Sequence, residues 1–300
     1  MMFTKKNYAT IVITTYNRPK FLERAIYSCK SQNTQYEFEI IVVDDNGIGS
    51  EHQKETEKLV KSNKEVVYLP LEKNSGACVA RNKGAKLASG EFLFFLDDDD
   101  EFLPAKLEEQ IKYLNQNPQM DGCLAGFVRK NEAEQEIISG SNDPVVGDFK
   151  NFILYGNFFT PMLCIRKNSF EKTDGFISIP RFQDKFFMIN ALLKGLSFGT
   201  LGRPLHVMHE HNGERVTSVS VEKTEKSLLQ IRIIVEQNKY QLSKAEWKLF
   251  LSKQLRVLAI TKYVSSKKIT RRSAAVDFLK LFFSQLNFRD LIMTLKSIVK

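Results

Sequence analysis

The chain has few cysteines and no long apolar run. Its four cysteines (Cys29, Cys78, Cys123 and Cys164) are scattered without metal-type spacing, which fits a reduced, cytosolic chain. No apolar stretch approaches the roughly 18 residues that a membrane-crossing helix needs. The amino terminus carries Lys5 and Lys6, but the apolar segment after it is short and runs into Thr14-Thr15-Tyr16-Asn17. It reads as a first strand, not as a signal peptide. There is no internal repeat and no low-complexity segment. At 300 residues and 43% hydrophobic, the chain can bury one large domain, or one domain with an appendage.

Its net charge of +9 is unevenly placed. Residues 222–300 hold 17 lysines and arginines against 6 acids, a balance of +11, which leaves 1–221 at −2. Such asymmetry points to an anionic partner for the last quarter, either a membrane or a nucleic acid.

The most informative stretch is Phe92-Leu93-Phe94-Phe95-Leu96-Asp97-Asp98-Asp99-Asp100. Its apolar run reads as a strand buried on both faces, with the acids where that strand leaves the sheet. Adjacent carboxylates repel and need a cation or many donors at such a place. A divalent metal shared with a phosphorylated ligand is the cheapest explanation, and an acidic surface turn is the alternative. In open α/β sheets, ligands bind outside the carboxyl ends of the strands, where this cluster falls.

Residues 10–130 alternate strand and helix signals. Ala9–Ile13 and Phe38–Val43 are β-branched strands, and Pro19 opens a helix with Leu22, Ala25, Ile26 and Cys29 at helical spacing. A polar helix over 51–63, a short strand over 66–69 and a small-residue helix to Ala88 precede the acidic-ended strand. Pro104 then opens a helix with Leu107, Ile111 and Leu114 on one face, and 121–129 is again strand-like. Strands separated by such helices predict crossover units and a mainly parallel sheet. From about 131 to 210 the pattern is less regular, with strand signals at 162–166 and a helix beginning near Gln183-Asp184. Beyond 222 the chain is helical and basic, with apolar stripes Trp247, Leu251, Leu255, Leu258 and Leu291, Leu295, Ile298.

Four blocks, in order, resemble the inverting family 2 glycosyltransferases. They are Thr14-Thr15-Tyr16-Asn17-Arg18-Pro19; Ile41-Val42-Val43-Asp44-Asp45; Asn74-Ser75-Gly76 with Ala80-Arg81-Asn82-Lys83-Gly84; and Phe95–Asp100 with Pro104 and Leu107. The resemblance covers roughly 8–210 and implies the GT-A fold: a Rossmann-like three-layer α/β/α domain with a mainly parallel mixed sheet. The expected division is a nucleotide-sugar-binding and catalytic domain over 1–221 and a basic α-helical region over 222–300.

Beside that resemblance, the site roles follow from charge. A departing nucleoside diphosphate needs its negative charge neutralised, which Mn²⁺ or Mg²⁺ can do. Asp99 is the expected direct metal ligand, with Asp97 or Asp98 reaching the ribose or a metal-bound water. Asp45 is placed to accept a hydrogen bond from the base, as the family uses this acid. Thr14 and Tyr16 would line the nucleobase pocket, Tyr16 offering a stacking face. Arg81 is a candidate donor to the pyrophosphate or nucleobase, or else a solvent-facing helix residue. Asp44 is expected to support its turn.

An inverting transfer also needs a base for the acceptor hydroxyl. The resemblance implies an acid opening a helix, often in a Glu-Asp pair. Here Gln183 replaces the usual Glu and Asp184 remains, as base or as a helix cap. The resemblance implies that a residue from this C-terminal side, where His206, His209 and His211 cluster, can complete the metal coordination. His211 and His209 are the candidates, either of which could instead face phosphates or solvent, and Arg215 is a candidate phosphate clamp.

The resulting expectation is sugar transfer from a nucleotide sugar, UDP by family frequency, to a glycan or lipid-linked oligosaccharide of the bacterial surface. Transfer to polyprenyl phosphate and a non-catalytic nucleotide-sugar-binding module are the alternatives. The basic tail suits packing, self-association or an anionic membrane surface, which would place the enzyme peripherally on the inner face of the cell membrane. No nucleic-acid motif accompanies the charge.

Overall fold

The computed structural model describes residues 8–137, 142–210, 220–265, 268–285 and 287–299. The chain divides into two compact units, Met1–Ser178 with Gln183–Asn212, and Ile179–Phe182 with Gly213–Lys300.

The first unit begins with the expected alternation: β1 (Ala9–Thr15), α1 (Pro19–Lys30), β2 (Phe38–Asp44), α2 (Glu51–Lys61), β3 (Val66–Pro70), α3 (Ala77–Leu87) and β4 (Phe92–Asp97). Local chemistry sets the helix starts. Pro19 supplies the fixed φ of a first helical turn, and the Ser50 side chain accepts from the Gln53 backbone N–H at 3.1 Å. There follow β5 (Glu101–Phe102), α4 (Lys106–Gln116), β6 (Gly122–Lys130), α5 (Phe149–Tyr155), β7 (Leu163–Arg166), α6 (Lys167–Glu171), α7 (Gln183–Leu193) and β8 (Phe198–His209).

These strands form one sheet in the order β3-β2-β1-β4-β7-β6-β8-β5. The first four run parallel, β7 is antiparallel to both β4 and β6, and β8 is parallel to β6. The chain runs outward from β1 to β3 and then returns to the other side of β1 as β4. That reversal opens a crevice at the carboxyl ends of β1, β2 and β4, where open α/β sheets take their ligands.

As the apolar run predicts, β4 is buried on both faces. Phe92, Phe94 and Leu96 join the core cluster with Ile11, Ile13 and Val42. Phe95, on the other face, meets Phe170 and Phe176 at ring-centroid distances of 5.6 and 5.2 Å. Helix α3 lies unusually close to the sheet at Gly84, where a Cβ would sit 2.3 Å from Val12 Cγ1 and 3.0 Å from Val43 Cγ2. Overpacking costs about 1–3 kcal/mol, so Gly84→Val should lower the thermal unfolding midpoint. An unchanged midpoint would reject that reading of the contact.

Helix α4 departs from its predicted face. Besides Leu107, Ile111 and Leu114, it buries Lys106 and Gln110. The Lys106 ammonium lies 4.8 Å from the Phe102 ring centroid and donates to Gln110 Oε1 at 2.6 Å.

The second unit holds α8 (Val221–Gln237), α9 (Lys244–Val264), α10 (Lys268–Gln285) and α11 (Phe288–Val299). A Ser243/Glu246 capping box starts α9. The predicted stripe Trp247, Leu251, Leu255, Leu258 is only half-buried, and α9 instead buries Phe250, Ser252, Gln254, Ala259 and Thr261. A helix packed by neighbours on more than one side has no single buried stripe. Leu295 of the second predicted stripe is exposed.

Candidate active site

Strand register brings the candidate residues together at the crevice of the first unit. Thr14 stands beside Asp97, and Thr15 beside Asp44. Past β1 the chain turns sharply, with Asn17 in the left-handed region at φ 57° and its N–H on Asn46 Oδ1 at 2.7 Å. Tyr16 remains 43% exposed at this edge, so its ring is available for stacking.

The four aspartates after β4 take four different environments. Asp97 is paired with Arg81 at 2.5 Å and lies 3.4 Å from the Thr14 hydroxyl. Asp98 is fully buried and accepts from the Thr15 hydroxyl at 2.7 Å and the Tyr16 N–H at 3.3 Å. Its Oδ1 makes no hydrogen bond among the described residues and faces the Arg18 guanidinium at 3.1 Å. Burial pushes the Asp98 carboxyl up to about 7, against the opposing pull of Arg18. Asp99 is gripped by the same guanidinium through Nη1, and its carbonyl accepts from Arg24 at 2.8 Å. Asp100 accepts from the His209 N–H at 3.1 Å. Thus the acidic run is no solvated turn: its repulsion is relieved by Arg81, Arg18 and backbone donors.

Asp45 is buried, and its two oxygens accept from the Ser75 and Gly76 N–H groups, each at 2.7 Å. Gly76 has φ 87°, a conformation that L side chains rarely adopt, so the glycine lets this loop present both donors. Asp45 therefore fastens the loop before α3 to the end of β2. Asp44 supports its turn as predicted, accepting from the Asn46 N–H at 2.9 Å and from Tyr68 Oη at 2.6 Å.

Arg81 is buried, not solvent-facing, with its guanidinium carbon 5.4 Å from the Phe176 ring centroid. It holds Asp97 on one side and attracts Asp184 on the other. Asp184, in the first turn of α7, accepts from the Thr160 hydroxyl at 2.6 Å. Burial raises its carboxyl above the ordinary range, Arg81 and Thr160 oppose the shift, and the charge of Asp97 adds to it. A carboxylate so raised has more affinity for a proton, which suits a general base.

His209 is buried, with Nε2 2.6 Å from Glu101 and Nδ1 3.4 Å from Glu134. It belongs to a carboxylate network behind the acidic run. His206 is buried against Phe127, with burial holding it well below its usual value. His211 and Arg215 lie outside the described residues.

No group of three or more His, Cys, Asp or Glu side chains is arranged to hold a metal among the described residues. A hard divalent ion held by one or two carboxylates, with substrate phosphates and water completing its shell, needs no such group. Carboxylate oxygens clustered in the acidic run, although Asp98 and Asp99 are answered here by Arg18, are hard donors of the kind that chemistry uses. Sequence reasoning gave no role to Arg18, although it lies in the first quoted block, or to Thr160, which carries no local signal.

A family model described as glycosyl transferase family 2 matches residues 10–185. The chain belongs to that family. An uncharacterized glycosyltransferase of Haemophilus influenzae is 30% identical over 230 residues, covering 74% of this chain and 75% of that protein. A putative teichuronic acid biosynthesis glycosyltransferase of Bacillus subtilis is 34% identical over 115 residues, 36% of this chain and 42% of that protein. The chain spans less than half the length of several curated relatives it matches. The crystal structure of Staphylococcus aureus TarS 1–349 in complex with UDP-GlcNAc aligns with a TM-score of 0.60 at 19% identity, covering 97% of this chain and 79% of that one. This likeness shows a shared fold, GT-A, as the four blocks imply. In this family 2 chain the blocks converge on one crevice.

Proposed function

We propose that this family 2 chain transfers a sugar, with inversion, from a UDP-sugar to a hydroxyl of a growing bacterial surface glycan. One observation carries the reading: Asp97, Arg81 and Asp184 form one electrostatic group at the carboxyl end of the parallel strands. Donor charge and acceptor deprotonation can then be handled side by side. The relative named for teichuronic acid biosynthesis and the UDP-GlcNAc in the TarS structure support the choice of donor and product class.

In this mechanism Tyr16 stacks on the nucleobase, Asp45 accepts from it, and Thr14 lines the pocket. Asp184 takes the acceptor hydroxyl proton as that oxygen attacks the anomeric carbon from the face opposite the diphosphate. Thr160 holds the carboxylate in place, and Arg81 fixes Asp97 for the ribose or diphosphate side. Asp99, with Asp97 or Asp98 nearby, would hold Mn²⁺ or Mg²⁺, and His211 is the proposed third ligand. Bound there, the ion would neutralise the leaving diphosphate without a proton donor. Peripheral placement on the inner face of the cell membrane, near a lipid-linked acceptor, completes the proposal. No described helix is long and apolar enough to cross a membrane.

The test is nucleoside diphosphate release from a panel of nucleotide sugars with an oligosaccharide acceptor, before and after chelation. The expected outcome is turnover with a UDP-sugar that chelation abolishes and Mn²⁺ restores. Turnover indifferent to chelation would sink the metal assignment, and no release from any donor would sink the transferase reading.

A further inference from the structure

The second unit has an apolar core at Ala259, Ala274, Phe278 and Leu281, yet it also buries polar groups and leaves several apolar side chains outside. Asp290 is fully buried, held by Arg256 through two contacts of 2.5 and 2.7 Å. Gln254, Thr261, Thr294 and Ser297 are buried with it. Meanwhile Val257, Ile260 and Val264 of α9, and Val276, Leu279 and Phe283 of α10, are exposed, Phe283 to 70%. Isolated exposed apolar residues are ordinary, but these are not isolated.

Both triplets follow the spacing i, i+3, i+7, which puts each on one stripe of its helix. A basic residue stands four positions before each triplet: Lys253 before Val257, and Arg272 before Val276. Two consecutive helices that pack on each other thus repeat one pattern of a cation followed by three outward apolar side chains. Alternating cation and hydrocarbon at a helix surface suits the headgroup boundary of a bilayer, where lysine and arginine reach phosphates while the apolar groups enter the acyl edge.

We infer that these stripes of α9 and α10 form the surface by which the chain lies on an anionic bilayer. Charge selects this occupant over a second copy. Residues 222–300 carry a balance of +11, so two such faces repel, whereas an anionic leaflet attracts each. The inference rests on the membrane placement proposed above and is independent of the transfer chemistry.

Co-sedimentation of the full chain with vesicles of equimolar phosphatidylglycerol and phosphatidylcholine, against phosphatidylcholine alone, tests it. The parent should bind the anionic vesicles and lose binding as salt rises. Phe283→Glu and Ile260→Glu should each weaken that binding about tenfold, the loss expected when one large apolar anchor stays in water. Since both positions are exposed, circular dichroism should match the parent. Arg272→Gln with Lys280→Gln should weaken binding without touching the apolar stripes. Anionic binding retained by all these variants overturns this surface but leaves peripheral placement standing, whereas no binding by the parent overturns both. A solution dimer dissociated by Phe283→Glu would assign the face to a second copy and overturn the inference. UDP release with a soluble acceptor should be the same in every variant, which keeps this outcome separate from that of the catalytic proposal.

Discussion

Asp184→Asn should lower kcat about 10²- to 10⁴-fold, the usual contribution of a positioned general base, with the donor KM little changed. The amide keeps the shape of the carboxylate and can still accept from the Thr160 hydroxyl, 2.6 Å away. What it loses is the capacity to take a proton. The same argument fixes a pH dependence. Because burial raises the Asp184 carboxyl, a base at this position is charged only above an elevated value. Activity should therefore fall on acidification at a pH higher than an ordinary carboxylate would give. Thr160→Val removes a hydrogen bond that favours the charged form, so it should move that limb further upward. Steady-state kinetics across pH check all three points, and an Asn variant with parental kcat would reassign Asp184 to capping α7.

The second large effect concerns stability. Lys106 is fully buried between Phe94 and Phe102, and burial lowers its ammonium to about 7. Unfolded, a lysine keeps its proton to about 10.4. Between those values the unfolded chain binds more protons at this site than the folded one, so the Lys106 contribution to stability rises with pH. The buried thiols of Cys29, Cys78 and Cys164, held above their usual range, act with the opposite sign above about 8.5, with or without Lys106. At about 1.4 kcal/mol per unit, the Lys106 gain from pH 7 to pH 10 is on the order of 3 kcal/mol. Lys106→Met should lack this rise. Buried His206 faces Lys106 and contributes with the same sign lower down: it resists protonation, so stability also declines as pH falls through the unfolded histidine value. Urea unfolding of both chains at pH 7 and pH 9.5 checks the claim, and parallel pH dependences would reject it.

Much of the site was legible because it depends on short-range pattern. An apolar run ending in acids has few placements other than a buried strand entering a ligand crevice, and β4 occupies that place. The place of Asp184 in the first turn of α7 was legible for a similar reason, since a carboxylate opening a helix has a local signature. The partners of these residues were not. Thr160 is 24 positions from Asp184 and sits in an irregular segment. Arg81 was left open between a donor to the ligand and a solvent-facing helix residue, and only packing against Phe176 and pairing with Asp97 put it inside.

What the amino-acid order determined alone was the alternation of strands and helices over about 10–130, the acids at the strand ends and the basic tail, each written in neighbouring residues, whereas β5, α5, α6 and β8 appeared only in the fold. Only the tertiary structure decided which cation answers which carboxylate, and that Lys106 and Asp290 are buried while Phe283 is not. Those outcomes depend on surfaces brought together from distant parts of the chain. The free energy of a charge is set by such surroundings, not by its neighbours in sequence.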